Sequence, residues 1–146
     1  FAHVSLLSGA EGEELSKRVG SLSIGELAKS GIEPQTLISY LTRLGTSDPV
    51  AAFKNIQDLA DQFDFAKFSR ATPHFYTQDL YNLNAKLVHQ LDYDDVQHQL
   101  HVIDNRIDAA FWYAVRGNLT FVQDVKEWWR ICHQDVTPLI DDDDHD

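Results

Sequence analysis

Apolar positions along this chain recur mainly at helical spacing. After Pro34, the residues Leu37, Ile38, Leu41 and Leu44 fall three or four apart, the stripe of an amphipathic helix ended by Gly45. Leu80, Leu83, Leu87, Val88 and Leu91 make a longer stripe, with Thr77 as its cap. Val96, Leu100 and Ile103 form the next. Ile107, Phe111 and Val115 mark a helix running to Arg116 and stopped by Gly117. Leu119, Val122, Val125, Trp129 and Cys132 mark the last, closed by Pro138. Two shorter helices complete the series. One spans about Ser23 to Ser30, opened by the capping-box pattern Ser23-Ile24-Gly25-Glu26 and stopped by Gly31; the other spans about Ile56 to Gln62. Only Phe1 to Leu7 alternates loosely enough to end a strand. The pattern therefore predicts an all-α fold of six or seven helices, with one short N-terminal strand at most. Thr46-Ser47-Asp48-Pro49 is the candidate boundary, dividing the chain into 1–48 and 49–146.

Composition narrows this picture. Hydrophobic residues make up 43% of the 146, enough for a packed core. The single cysteine, Cys132, rules out an internal disulfide and is simplest to reconcile with a reducing, cytoplasmic setting. No apolar run is long enough for a membrane helix, so no membrane partner is expected. The chain opens at Phe1 rather than Met, as expected of a piece of something longer. The formal net charge is -11, and the Asp141–Asp146 tail supplies five of the acids. Without them the balance of 12 cations against 18 acids is still -6. A broad basic face for nucleic acid is excluded, and any such contact must be made by a few local cations. On charge alone the chain reads as an acidic helical protein-interaction module without nucleotide chemistry.

The candidate chemistry lies between three glycines, in Gly9-Ala10-Glu11-Gly12-Glu13-Glu14-Leu15-Ser16-Lys17-Arg18-Val19-Gly20. A glycine-bracketed loop with a hydroxyl and two cations, set before a helix, can close over an anion such as phosphate. Leu15-Ser16-Lys17-Arg18 resembles the Lys-Met-Ser-Lys-Ser signature of class I aminoacyl-tRNA synthetases. The surrounding blocks resemble the bacterial glutamyl-tRNA synthetases in the same order. They are Leu7-Ser8-Gly9-Ala10-Glu11-Gly12, Gly20-Ser21-Leu22-Ser23-Ile24, Gly31-Ile32-Glu33-Pro34, Arg43-Leu44-Gly45-Thr46-Ser47-Asp48, Phe63-Asp64-Phe65-Ala66-Lys67-Phe68-Ser69-Arg70 and Leu83-Asn84. The resemblance covers nearly the whole chain and is weakest after about Pro138.

This resemblance implies a part of a glutamate–tRNA ligase: the signature loop with a helical stem-contact region in 1–48, then the start of the helical anticodon-binding region. It implies glutamate, ATP with Mg²⁺ and glutamate-accepting tRNA as partners, a monomer, and ATP contact through Leu15, Ser16, Lys17 and Arg18, with Lys17 catalytic. Glu14 departs from the pattern, standing where the family has its first lysine. The other class I signature, His-Ile-Gly-His, and the nucleotide-binding fold are not among these residues, so this stretch alone is expected to be inactive. The helical pattern after Pro34 favours the glutamyl over the glutaminyl enzymes, whose anticodon part is built of β-barrels. Lys67, Arg70, Arg106 and Arg116 are the candidate tRNA-backbone contacts, set against the ordinary role of surface cations. Among the tryptophans, Trp112 and Trp129 read as core and Trp128 as the one free to stack on a base. Phe63, Phe65 and Phe68 read as a local aromatic core. His89, His98, His101, Cys132 and His133 lack any recognised ligand spacing, so no metal site is expected.

Overall fold

In a computed structural model, residues 3–12, 15 and 23–133 are described. Seven α-helices are found among them: α1 (Ile24–Lys29), α2 (Pro34–Arg43), α3 (Ile56–Asp61), α4 (Thr77–Val88), α5 (Tyr93–Ile103), α6 (Ala109–Val115) and α7 (Val125–His133). Single 3₁₀ turns lie at Phe65–Lys67, Arg116–Asn118 and Val122–Asp124. The fold is all-α, as the periodicity predicts. Residues 3–7 form no strand. Pairing among the described residues is limited to two isolated bridges, Ser8 with His74 and Thr46 with Phe68.

The helix starts follow local chemistry. The Ser23 hydroxyl accepts from the Glu26 amide at 3.1 Å, and the Glu26 carboxylate accepts from the Ser23 amide at 3.0 Å, which completes the capping box of α1. Gly31 takes φ +92 just beyond α1, where a Cβ would meet the Gln123 side chain. Thr77 is not a cap. It is the first residue of α4, and Tyr76 holds the cap position without a side-chain bond. The helix expected from Leu119 to Cys132 is split. Asp124 accepts from the amides of Thr120 and Phe121, at 3.1 and 2.8 Å, and so closes a turn before α7 begins.

α4 spans two apolar clusters. Its Leu80 and Leu83 join Leu27, Ile32, Tyr40 and Phe75, while its Leu87 and Val88 join Val96, Leu100, Ile107, Trp112, Leu119, Val122 and Val125. Trp112 is fully buried, and its indole N–H donates to Leu91 O at 3.0 Å, so it is core as expected. Trp129 is half-buried, and its N–H donates to Asp104 at 3.0 Å.

The buried face of α2 departs from its apolar stripe. Thr36, Ser39, Tyr40 and Arg43 point inward, while Leu41 is exposed. Each inward polar group has a distant partner. Thr36 Oγ1 donates to Asn84 at 2.8 Å, Ser39 Oγ accepts from the Phe53 amide at 3.2 Å, and Tyr40 Oη accepts from the Tyr76 amide at 3.1 Å. Buried polar groups are tolerable when paired in this way. Asn84 is the centre of the arrangement. Its oxygen also accepts from the Glu33 amide at 2.9 Å, and its amide donates to Thr120 O at 2.7 Å. One side chain thus joins the start of α2, the middle of α4 and the segment after α6.

Candidate functional site: the loop base and the exposed cations

Ser16, Lys17 and Arg18, with Glu14, lie outside the described residues; Leu15 is described and exposed. Apart from Leu15, the described residues stop at Gly12 and resume at Ser23. On the C-terminal side the chain enters the capping box of α1. On the N-terminal side Ser8 is buried and docks on residues 73–75: its amide donates to Pro73 O at 3.1 Å, and its carbonyl accepts from the Phe75 amide at 2.8 Å. A tight turn follows, closed by the Gly12 amide on Gly9 O at 3.0 Å, with Gly12 at φ +85. That conformation favours glycine.

The four candidate cations are spread over the molecule and are not alike. Lys67 is held by Asp48 at 2.9 Å, and the same carboxylate pairs with the buried Arg43. Arg43 Nη2 also donates to Gln62 at 2.5 Å. This network fastens the end of α2 to the segment after α3. Arg106 is bound through Nε and Nη2 to Asp104, at 3.0 and 2.7 Å, and the hydrogen bonds from its side chain and amide hold the Asp104 carboxyl well below the usual carboxylate range. Arg116 donates to Leu91 O at 2.6 Å and lies over the Tyr113 ring at 4.7 Å. Arg70 is exposed, and its guanidinium has no partner among the described residues. Arg70 is therefore the one of the four whose charge is uncommitted within those residues.

The aromatic trio assembles, with Phe63 centroids 4.9 Å from Phe65 and 5.7 Å from Phe68, but it is not a core. Phe63 and Phe65 are exposed. Phe63 and Phe68 line an open apolar groove of about 700 Å³ whose other walls include Val4, Leu7, Ile38, Leu41, Ile56 and Leu59. The outer residues of the α2 stripe thus face this groove. Trp128 is 37% exposed.

Three of the candidate histidines have separate partners. His89 bonds Leu119 O at 2.9 Å, His101 meets the Tyr93 hydroxyl at 3.0 Å, and His133 stacks on Trp129 at 3.7 Å between centroids. No group of three or more His, Cys, Asp or Glu side chains able to hold a metal occurs among the described residues. No described helix is long and apolar enough to cross a membrane.

Sequence reading missed Ser8, His74, Arg43 and Asn84 as structural determinants. For Asn84 a signal existed: a polar residue placed directly beside Leu83 within a buried stripe. The others are specified by partners 5 to 66 residues away.

No family model matches the chain. It is 42% identical over 147 residues to glutamate–tRNA ligase 2 of Hyphomonas neptunium, and 42% identical over 146 residues to glutamate–tRNA ligase 1 of Maricaulis maris. These alignments take in 100% and 99% of this chain and 33% of each relative, so the chain spans about a third of the length of the curated relatives it matches. In structure it is similar to a glutamate tRNA ligase from Elizabethkingia meningosepticum crystallised with its amino acid. That match has a TM-score of 0.69 and 18% identity, over 89% of this chain and 31% of that one. The glutamate-tRNA synthetase of Elizabethkingia anophelis matches with a TM-score of 0.66 and 18% identity, over 87% of this chain and 31% of that one. At that identity the structural matches show a shared fold.

Proposed function

We propose that this chain serves within a glutamate–tRNA ligase, supplying the loop that meets ATP and a helical region that contacts tRNA. The observation that carries the reading is 42% identity to a glutamate–tRNA ligase across the full length of the chain. In the proposed reaction the glutamate carboxylate attacks the α-phosphate of ATP, pyrophosphate leaves, and the activated glutamate passes to tRNA. Lys17 is the proposed catalytic residue. Its ammonium, a mobile point charge, meets the negative charge that grows on the phosphate oxygens. Ser16 adds a hydrogen bond, Arg18 a second cation, and Leu15 completes the ATP-contacting stretch. Glu14 cannot hold a triphosphate as a lysine would, so the charge must come from Lys17 and Arg18.

Mg²⁺ finds no carboxylate cluster among the described residues, so no residue here is assigned to it and no step is drawn through it. Contact with the tRNA backbone falls first to Arg70, because Lys67, Arg106 and Arg116 are already engaged within the fold. A cytoplasmic monomer is the setting that fits this role. Acidity alone supports an interaction module, and the full-length similarity to ligases outweighs it.

The test is ATP–pyrophosphate exchange by a ligase of the relatives' length that carries these residues. Exchange that depends on glutamate supports the reading. Exchange that ignores glutamate, or its complete absence in a folded protein, refutes it.

A further inference from the structure

Two segments of this acidic chain lie side by side and carry no acid. Residues 3–10 and 69–78 contain neither Asp nor Glu, although those types make up 23 of the 146 residues. The two runs are joined at Ser8, whose amide donates to Pro73 O and whose carbonyl accepts from the Phe75 amide. The Ser5 hydroxyl donates to Arg70 O at 3.3 Å, so the pairing extends along both runs. In sequence the acids begin again at Glu11 and Asp79. Carboxylates repel phosphates, so an acid-free strip is where this molecule can take a polyanion.

The strip is held from behind and its outer side chains are open. The Ser69 amide donates to Gly45 O at 2.8 Å, Phe75 is buried edge-on against Tyr40, and the Tyr76 amide donates to Tyr40 Oη at 3.1 Å. Arg70, His74 and Tyr76 are exposed. The Arg70 guanidinium and the Tyr76 hydroxyl have no partner among the described residues. His74 Nδ1 is 3.1 Å from Gly9 O and 2.8 Å from Ser8 Oγ. A carbonyl can only accept, so Nδ1 carries a hydrogen, and the neutral ring leaves Nε2 as an acceptor. The His74 and Tyr76 rings lie 6.3 Å apart between centroids. Groups fixed in place before binding lose little entropy on contact.

A ribose 2′-hydroxyl is a donor that suits Nε2, and DNA lacks it. A guanidinium and a phenol suit phosphate oxygens. We propose that Arg70, His74 and Tyr76 form a contact surface for the sugar–phosphate backbone of tRNA, with Arg70 and Tyr76 on phosphates and His74 on a ribose hydroxyl. The assignment adds His74 and Tyr76 to the contact given to Arg70, and it rests on the reading that the chain serves within a tRNA-charging ligase.

The test measures equilibrium binding of glutamate-accepting tRNA, and of DNA of the same sequence, by a ligase of the relatives' length that carries these residues. Arg70→Ala should weaken tRNA binding and lower its salt slope by about one. Tyr76→Phe, which removes only the hydroxyl, should weaken binding by about two- to tenfold, the usual worth of one hydrogen bond. His74→Asn, whose Nδ2 falls near the place of Nδ1, keeps the bond to Gly9 O and loses the outward acceptor. It should weaken tRNA binding by a similar factor and leave DNA binding unchanged. The melting temperature should hold in all three. Unchanged tRNA binding in the three variants, beside a parent protein that charges tRNA with glutamate, would overturn the surface and leave the ligase reading standing. A parent protein that binds no tRNA would remove both. Equal losses on tRNA and DNA in His74→Asn, or losses that track a fall in melting temperature, would overturn the proposal.

Discussion

Replacing Asn84 by leucine probes the polar joint at the centre of the fold. The side chain is fully buried and makes three short bonds, to the Glu33 amide, Thr36 Oγ1 and Thr120 O, plus a longer one of 3.5 Å to Gly31 O. Leucine has the same side-chain branching and leaves no cavity, so the loss is of hydrogen bonding, with some overpacking by its larger methyl groups. A buried partner left unsatisfied costs about 1–3 kcal/mol. Thr36 is fully buried and carries that cost in full, whereas Glu33 and Thr120 are partly open to water and carry less. The expected destabilisation is about 3–5 kcal/mol, a large share of a typical total of about 5–15 kcal/mol. For a domain of this size that lowers the melting temperature by about 6–20 °C. Urea denaturation of the chain followed by circular dichroism reads it directly. Adding Thr36→Val should recover part of the loss, because removing both partners relieves the unpaired hydroxyl. A loss below about 1 kcal/mol in Asn84→Leu would show that the bonds are replaced by water, and the joint would not organise the fold.

Other expectations rest on the same geometry. Arg43→Ala leaves Asp48 paired with Lys67 alone and removes the donor to Gln62, and should cost about 2–3 kcal/mol in a denaturation experiment; a change below about 1 kcal/mol would mean the pair is solvated. Asp104 and Asp95 have carboxyl groups lowered by Arg106 and Lys54 respectively, so the stability they contribute is present above the unfolded aspartate value and lost as pH falls through the lower folded one. Asp104→Asn should flatten the acid limb of melting temperature against pH; an unchanged limb would show that the pairing is screened away. Glu33 runs the other way, its carboxyl raised by burial, so Glu33→Gln should help stability at neutral pH and not at pH 3. Binding of tRNA by the chain should be weak and salt-sensitive. Arg70→Ala should reduce the salt slope by about one while Arg106→Ala changes it less; equal effects would refute the distinction drawn from their partners.

Much of the fold was legible in the sequence because helices bury stripes set by local spacing. The α4 residues Leu80, Leu83, Leu87 and Val88 are all buried as their period implies. The capping box at Ser23 could be read for the same reason, since its partners are three residues apart. Polarity misled wherever a distant partner decided the outcome. The inward face of α2 is polar because Asn84, Phe53 and Tyr76 wait for it 14 to 48 residues away. The phenylalanine trio clusters as its sequence proximity suggests, yet Phe63 and Phe65 remain exposed, because contact between neighbours does not bring other elements over them. Cations were legible as cations and not as free cations. The Asp48, Asp104 and Leu91 partners of Lys67, Arg106 and Arg116 could be known only once the chain had folded.

The claim on which the functional account rests is that Lys17 stabilises charge during activation of glutamate. The measurement is glutamate-dependent ATP–pyrophosphate exchange by Lys17→Ala in a ligase of the relatives' length that carries these residues. Removing one preorganised donor of this kind should lower the exchange rate by about 10²–10³. Transfer from preformed adenylate to tRNA should suffer less, and the melting temperature should hold. Exchange at the wild-type rate in the folded variant would contradict the account.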